Sequence, residues 1–121
     1  MSMKSIAFSL SALALFLSAQ VAQAGAFSNM RVTYVEVDSA TLYAGGPWIV
    51  LQISNSSGPI NLCSTASSPT YMRLPTSDAG AKSILQVALL AKATNATTVA
   101  GNGLEPPAGE PFCRIGNLGL Y

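Results

Sequence analysis

A small, mainly β domain with one helix, its elements in the order β-β-β-α-β-β, is the fold class the sequence predicts. Three observations lead there. Apolar residues alternate with period two on either side of one segment in which they recur at helical spacing. Clusters of Gly, Pro, Asn and Ser separate the alternating runs. The 121 residues supply one domain once a leader is set aside, and no internal repeat or second domain is visible.

That leader is Met1 to Ala24. Lys4 precedes the apolar run Ile6 to Ala19, and Ala22-Gln23-Ala24 presents small residues at both positions a signal peptidase reads. Spanning a bilayer takes about 20 apolar residues, and this run stops short. Cleavage after Ala24 is therefore expected, giving a secreted or periplasmic product with no stable membrane insertion. The short, Ala-rich leader has a bacterial character, and residues 25–121 form the single domain.

Strand one is expected at Arg31 to Val37, with Val35 and Val37 on one face and Val32 and Tyr34 on the other; Gly25 to Asn29 precede it as a tail. Trp48 to Ser54 alternates cleanly as strand two, Ile49, Leu51 and Ile53 pointing one way and Trp48, Val50 and Gln52 the other. Asn55-Ser56-Ser57-Gly58-Pro59 ends it as a turn. A third strand, Tyr71 to Leu74, stops at Pro75.

Thr76, Ser77 and Asp78 are good N-cap residues, so a helix is expected to begin there and run to about Thr94, with Asn95 as its C-terminal breaker. Ala81, Ile84, Leu85, Ala88 and Leu89 form its core stripe. Val87, Leu90 and Ala91 widen the apolar arc beyond what one barrel end requires. That surplus predicts contact with a second copy, unless the Gly25 to Asn29 tail or the Pro-rich connection covers it.

Thr97 to Gly101 makes the fourth strand, and Phe112 to Tyr121 the fifth, with Gly116 and Gly119 marking a bulge or tight bend. This element order is that of an OB-fold, a five-stranded Greek-key barrel with a helix between strands three and four.

Composition excludes several functions. Charged residues are 9% of the chain and His is absent, against roughly 25% charged in an average domain. Lys4 leaves with the leader, so the domain sets Arg31, Arg73, Lys82, Lys92 and Arg114 against Glu36, Asp38, Asp78, Glu105 and Glu110 and is formally neutral. Nothing there draws nucleic acid.

Without His there is no Ser-His-Asp triad, and a G-x-S-x-G elbow is absent too. Glu36 and Asp38 share one strand face, while Glu105 and Glu110 lie on a loop; no pair is placed across a cleft as glycoside hydrolysis needs. A non-enzymatic protein without cofactor or metal is expected, a calcium site at Asp38 or Glu110 having no further support.

Export permits a disulfide, and Cys63 with Cys113 is the one pair available. A reactive thiol would need a His or a CxxC neighbour to lower its pKa, and neither is present.

The chain resembles the B subunits of AB-type toxins, in particular the subtilase-cytotoxin B-subunit-like proteins, over roughly Arg31 to Tyr121. The resemblance lies in the leader, the Trp48-Ile49-Val50-Leu51-Gln52-Ile53 strand with a Cys shortly after it, the Tyr71-Met72-Arg73-Leu74-Pro75-Thr76 run, and the helix from Asp78 to Thr94. It implies a ring of OB-fold subunits, a barrel face that binds cell-surface glycans, and a catalytic A-type subunit as partner. It assigns no sugar contact to a particular residue.

From the residues themselves, sugar recognition calls for an aromatic face beside hydroxyls or amides. Tyr43 and Trp48 flank Gly45-Gly46-Pro47, with Ser39 and Thr41 just before them, and this cluster is the expected ligand site. The competing reading buries Trp48 at the barrel end. Two other functions share the fold: a periplasmic or cell-surface structural or interaction protein, and an inhibitor that inserts its Pro-rich connection, residues 104–111, into a partner.

Overall fold

The structure, a computed structural model, describes residues 25–39 and 45–121. The expected leader, and Thr41 and Tyr43 of the expected sugar site, lie outside the described residues. Among the described residues the elements are β1 (Gly25–Val37), β2 (Trp48–Asn55), β3 (Gly58–Pro59), β4 (Ser68–Pro75), α1 (Ala81–Ala93), β5 (Val99–Leu104) and β6 (Phe112–Leu120).

Hydrogen-bonded neighbours run β1-β5-β6-β4-β2, and β1 pairs with β2 to close the ring; β3 is a short hairpin partner of β2. The pairs are antiparallel except β4 with β6. A parallel pair needs a crossover connection, and α1 with β5 supplies it. The result is the expected five-stranded mixed barrel of OB-fold connectivity, with one helix between strands and one disulfide.

Alternation places the β2 core as expected: Ile49, Leu51 and Ile53 are buried in the barrel, facing Met72 and Leu74 of β4. Strand β1 departs from simple alternation. Val32 pairs with Ile53 and Tyr34 with Gln52, leaving Thr33 as a bulge. One extra residue reverses the pleat, so Val32 and Val35 both join the core while Tyr34 turns outward. The Thr33 hydroxyl is held 2.8 Å from that of Ser54. Val37, expected to share Val35's face, ends the strand half exposed.

The expected tail Gly25 to Asn29 is instead the first half of β1, pairing with β5 through Gly25–Gly103, Ala26–Asn102 and Phe27–Gly101. That pairing also extends β5 to Leu104, beyond the expected end at Gly101. Glycine permits the close packing: a Cβ on Gly103 would lie 2.4 Å from the backbone oxygen of buried Leu62. The expected bulge in the last strand falls at Gly116, skipped where Asn102 pairs with Asn117 and Gly103 with Ile115.

Helix α1 begins later than expected. Thr76 to Gly80 form turns, the Asp78 carboxylate accepts the Gly80 amide at 2.8 Å, and the first helical residue is Ala81. Its end is as expected. Asn95 adopts φ 51°, Ala96 N–H donates to Ala91 O at 3.0 Å and Asn95 N–H to Lys92 O at 3.3 Å, the two bonds of a Schellman motif.

The helix packs on β1 and β6 through Ala81, Ile84, Leu85, Ala88 and Ala91. Two sequence assignments change places here. Leu89, expected in the core stripe, is 51% exposed, and Ala91, expected at a second copy, is buried. Small alanines let the helix sit close to the barrel, and the larger Leu89 is left outside.

Cys63, in the connection from β3 to β4, is bonded to Cys113 of β6, with Cα atoms 5.8 Å apart. No helix among the described residues is long and apolar enough to cross a membrane.

Candidate functional site

The outer face of β1, β2, β4 and β6 carries side chains that the core alternation forces outward. Register aligns Tyr34, Gln52 and Tyr71 in one row, and Glu36, Val50, Arg73 and Arg114 in the next. Such a face, between the β1–β2 and β5–β6 loops, is where OB-folds bind ligands.

Trp48 belongs to this face but is not open to a ligand. Its exposure is 3%, with the Arg73 guanidinium 3.9 Å and that of Arg114 4.9 Å from its ring centroid. Both cations share the carboxylate of Glu110: Arg114 donates from Nε at 2.8 Å and from Nη2 at 2.6 Å, and Arg73 Nη2 lies 3.8 Å away. The Arg114 hydrogen bonds are the main cause holding the Glu110 carboxyl below its usual range, against the effect of burial. Trp48 thus organises two guanidiniums rather than offering a stacking surface. Ser39, expected beside it, follows β1 at the exposed surface.

Next to this stack a cleft of about 270 Å³ is lined by Tyr34, Glu36, Asp38, Val50, Tyr71 and Phe112. Its rings are in mutual contact, Tyr34 edge-on to Tyr71 at 5.8 Å and Tyr71 tilted against Phe112 at 5.7 Å. The Tyr34 hydroxyl donates to Glu36 Oε2 at 2.7 Å, and this bond to a carboxylate, foremost among several causes, pushes its pKa up to about 12.

Asp38 is 4% exposed, and no N–H or hydroxyl donor reaches either of its carboxylate oxygens. Its backbone N–H is satisfied by Trp48 O at 2.8 Å, so the chain is anchored while the side chain is left wanting donors. Burial first, then a side-chain hydrogen bond with Glu36 and that neighbour's charge, raise the Asp38 pKa above the usual aspartate range, and Arg73 opposes them. A buried acceptor without a donor is costly, and it faces the cleft.

The Pro-rich connection, expected as an inserting loop, is fastened at both ends. Glu110 holds the two arginines, and Glu105 accepts four hydrogen bonds, from the backbone N–H and hydroxyl of Ser64 (2.6 and 2.7 Å) and of Thr65 (2.9 and 2.6 Å). The Thr65 hydroxyl leads the causes that lower the Glu105 pKa to about 2.

Of the expected contacts with a second copy, Leu90 is 55% exposed, Val87 is partly buried and Ala91 faces the barrel. Leu90 and Leu89 are the exposed apolar pair on α1.

The spacing of Glu36 and Asp38 on one strand face was visible in the sequence; their joining to Tyr34, Tyr71 and Phe112 depends on the Thr33 bulge and on cross-strand register. Among the described residues no group of three or more His, Cys, Asp or Glu could hold a metal ion. Compared with family models, curated proteins and solved structures, the chain matches none. Fold and site define a small barrel suited to a binding or scaffold role.

Proposed function

We propose that this chain is an exported, non-enzymatic protein that recognises a cell-surface glycan and self-associates, in the manner of the toxin B subunits its sequence resembles. The glycan reading is carried by the cleft in which the buried Asp38 carboxylate, reached by no N–H or hydroxyl donor, stands beside Tyr34, Tyr71 and Phe112. A pyranose offers hydroxyl donors on its rim and an apolar C–H face, and this cleft offers their complements.

The exposed Leu89 and Leu90 pair favours a protein contact, and in this reading it is where copies meet, leaving a catalytic A-type subunit as a further partner. The alternative, a periplasmic or cell-surface interaction protein without sugar preference, uses the same pair for a different partner.

A glycan array probed with the mature, oxidised protein separates the two, followed by calorimetry on the best ligand. Retention is expected, with Tyr71→Ala or Phe112→Ala weakening it about tenfold, or 1.4 kcal/mol. An inert array removes the glycan reading. Mass in solution tests self-association: oligomers are expected, reduced to monomers by Leu89→Gln with Leu90→Gln, and a monomeric wild type overturns that part.

A further inference from the structure

The acceptor groups of the cleft ask for more than hydroxyls. Tyr34 spends its hydroxyl proton on Glu36, Val50 and Phe112 donate nothing, and neither Asp38 oxygen is reached by an N–H or hydroxyl donor, its side-chain partner being the Glu36 carboxyl. Of the six lining side chains, the Tyr71 hydroxyl is what remains to donate. The two arginines on the same face share one carboxylate, that of Glu110. Arg73 reaches Asp38 with its field but gives its carboxylate no hydrogen bond.

Two neighbouring carboxyls, that of the buried Asp38 and that of Glu36, therefore line a cleft walled by three aromatic rings. Carboxylates and ring faces attract the same class of group. An ammonium brings three donors and a positive charge, and aromatic quadrupoles add to the attraction.

We propose that this cleft binds a protonated amine, held between Asp38 and Glu36 against Tyr34, Tyr71 and Phe112. Resting on the glycan reading for its second half, the inference names the ligand as an amino sugar bearing a free amine. N-acetylation would remove the charge and two of the three donors, and a sugar acid would meet like charge.

Calorimetry on the mature, oxidised protein tests this with four probes: a β-1,4-linked glucosamine tetrasaccharide, its fully N-acetylated form, the all-glucose tetrasaccharide and Nα-acetyl-lysine methylamide. The glucosamine oligomer is expected to bind at least tenfold more tightly than the N-acetylated and glucose forms. Asp38→Asn and Glu36→Gln, each checked for an unchanged circular-dichroism spectrum, are expected to erase that preference, bringing the glucosamine oligomer to the affinity of the all-glucose form. Equal or weaker binding of the amine form overturns the inference and leaves the glycan reading standing. Binding of the lysine amide with no sugar bound does the reverse. If neither amine probe binds, the inference fails, and because it compares ligands on the wild type, that result holds whether or not a variant folds.

Discussion

Asp38 is a residue at which stability and binding pull in opposite directions. Folding buries its carboxylate beside Glu36 and raises its pKa above the ordinary 3.8. Its contribution therefore favours the fold fully below that pH and is lost as pH rises through the raised folded value. Asp38→Asn removes the buried charge at nearly constant volume. Thermal melts should show the variant more stable at pH 8 by roughly 1 kcal/mol, about 4 °C for a domain of this size, with the gap closing below pH 4. A wild type that is the more stable at pH 8 would mean the carboxylate already has its donor. Glu105 has the opposite sign. Lowered from 4.5 to about 2 by its four hydrogen bonds, it supports the fold above pH 4.5, and that support is lost as pH falls through about 2. The amide resonances of Ser64 and Thr65 should titrate with a midpoint near 2, and Glu105→Gln should abolish the transition; a midpoint at 4.5 would show the bonds absent in solution. Neither behaviour was legible in the sequence, where both residues are ordinary carboxylates: the donors to Glu105 come from a segment 41 residues distant, and the burial of Asp38 comes with the closing of the barrel.

At the scale of elements, period and punctuation located every barrel strand and the helix, because their cause is local. Pro75 does end β4, and Asn95 does stop α1. What failed was set by partners. Thr33 looks like an ordinary strand residue until β2 is laid against β1, and only then does Tyr34 face outward with Tyr71. Leu89 looks like a core position until five close-packed residues, three of them alanines, bring the barrel against the other side of the helix. The helix stop offers a clean test. A left-handed residue with a Cβ costs about 1–2 kcal/mol, more when β-branched, and asparagine is among the few that tolerate it. Asn95→Val should therefore lower stability to urea by about 1–2 kcal/mol, whereas Asn95→Gly should equal the wild type within a few tenths. Equal loss from both would place the contribution of Asn95 in its side chain rather than in its backbone angle.

For the whole molecule, closure is the organising event: β1 must meet β2 in sequence and β5 across the chain, and the parallel β4–β6 pair joins the halves. The element order pointed to this connectivity, but the extra first half of β1 did not show in it, since Gly25 to Asn29 lacks alternation and pairs through glycine-bearing backbone. The weak point of such a barrel is its slanted parallel seam, slightly less stable per residue than an antiparallel one. The disulfide is anchored there. Cys113 pairs in register with Met72 across the seam and is tied to Cys63 in the connection leading into β4. Both the seam strands are thus held by a bond closing 50 residues, for which chain entropy gives about 4 kcal/mol at 25 °C. Replacing both cysteines with alanine should lower the unfolding free energy by about 2–4 kcal/mol. Because β4 and β6 also carry Tyr71 and Phe112, hydrogen exchange in the variant should quicken first along Met72 to Leu74 and Cys113→Ala to Ile115, before β1 and β5. Uniform quickening would mean that the bond acts on the unfolded chain alone; quickening confined to the seam would show the same bond holding the two aromatic walls of the cleft in register.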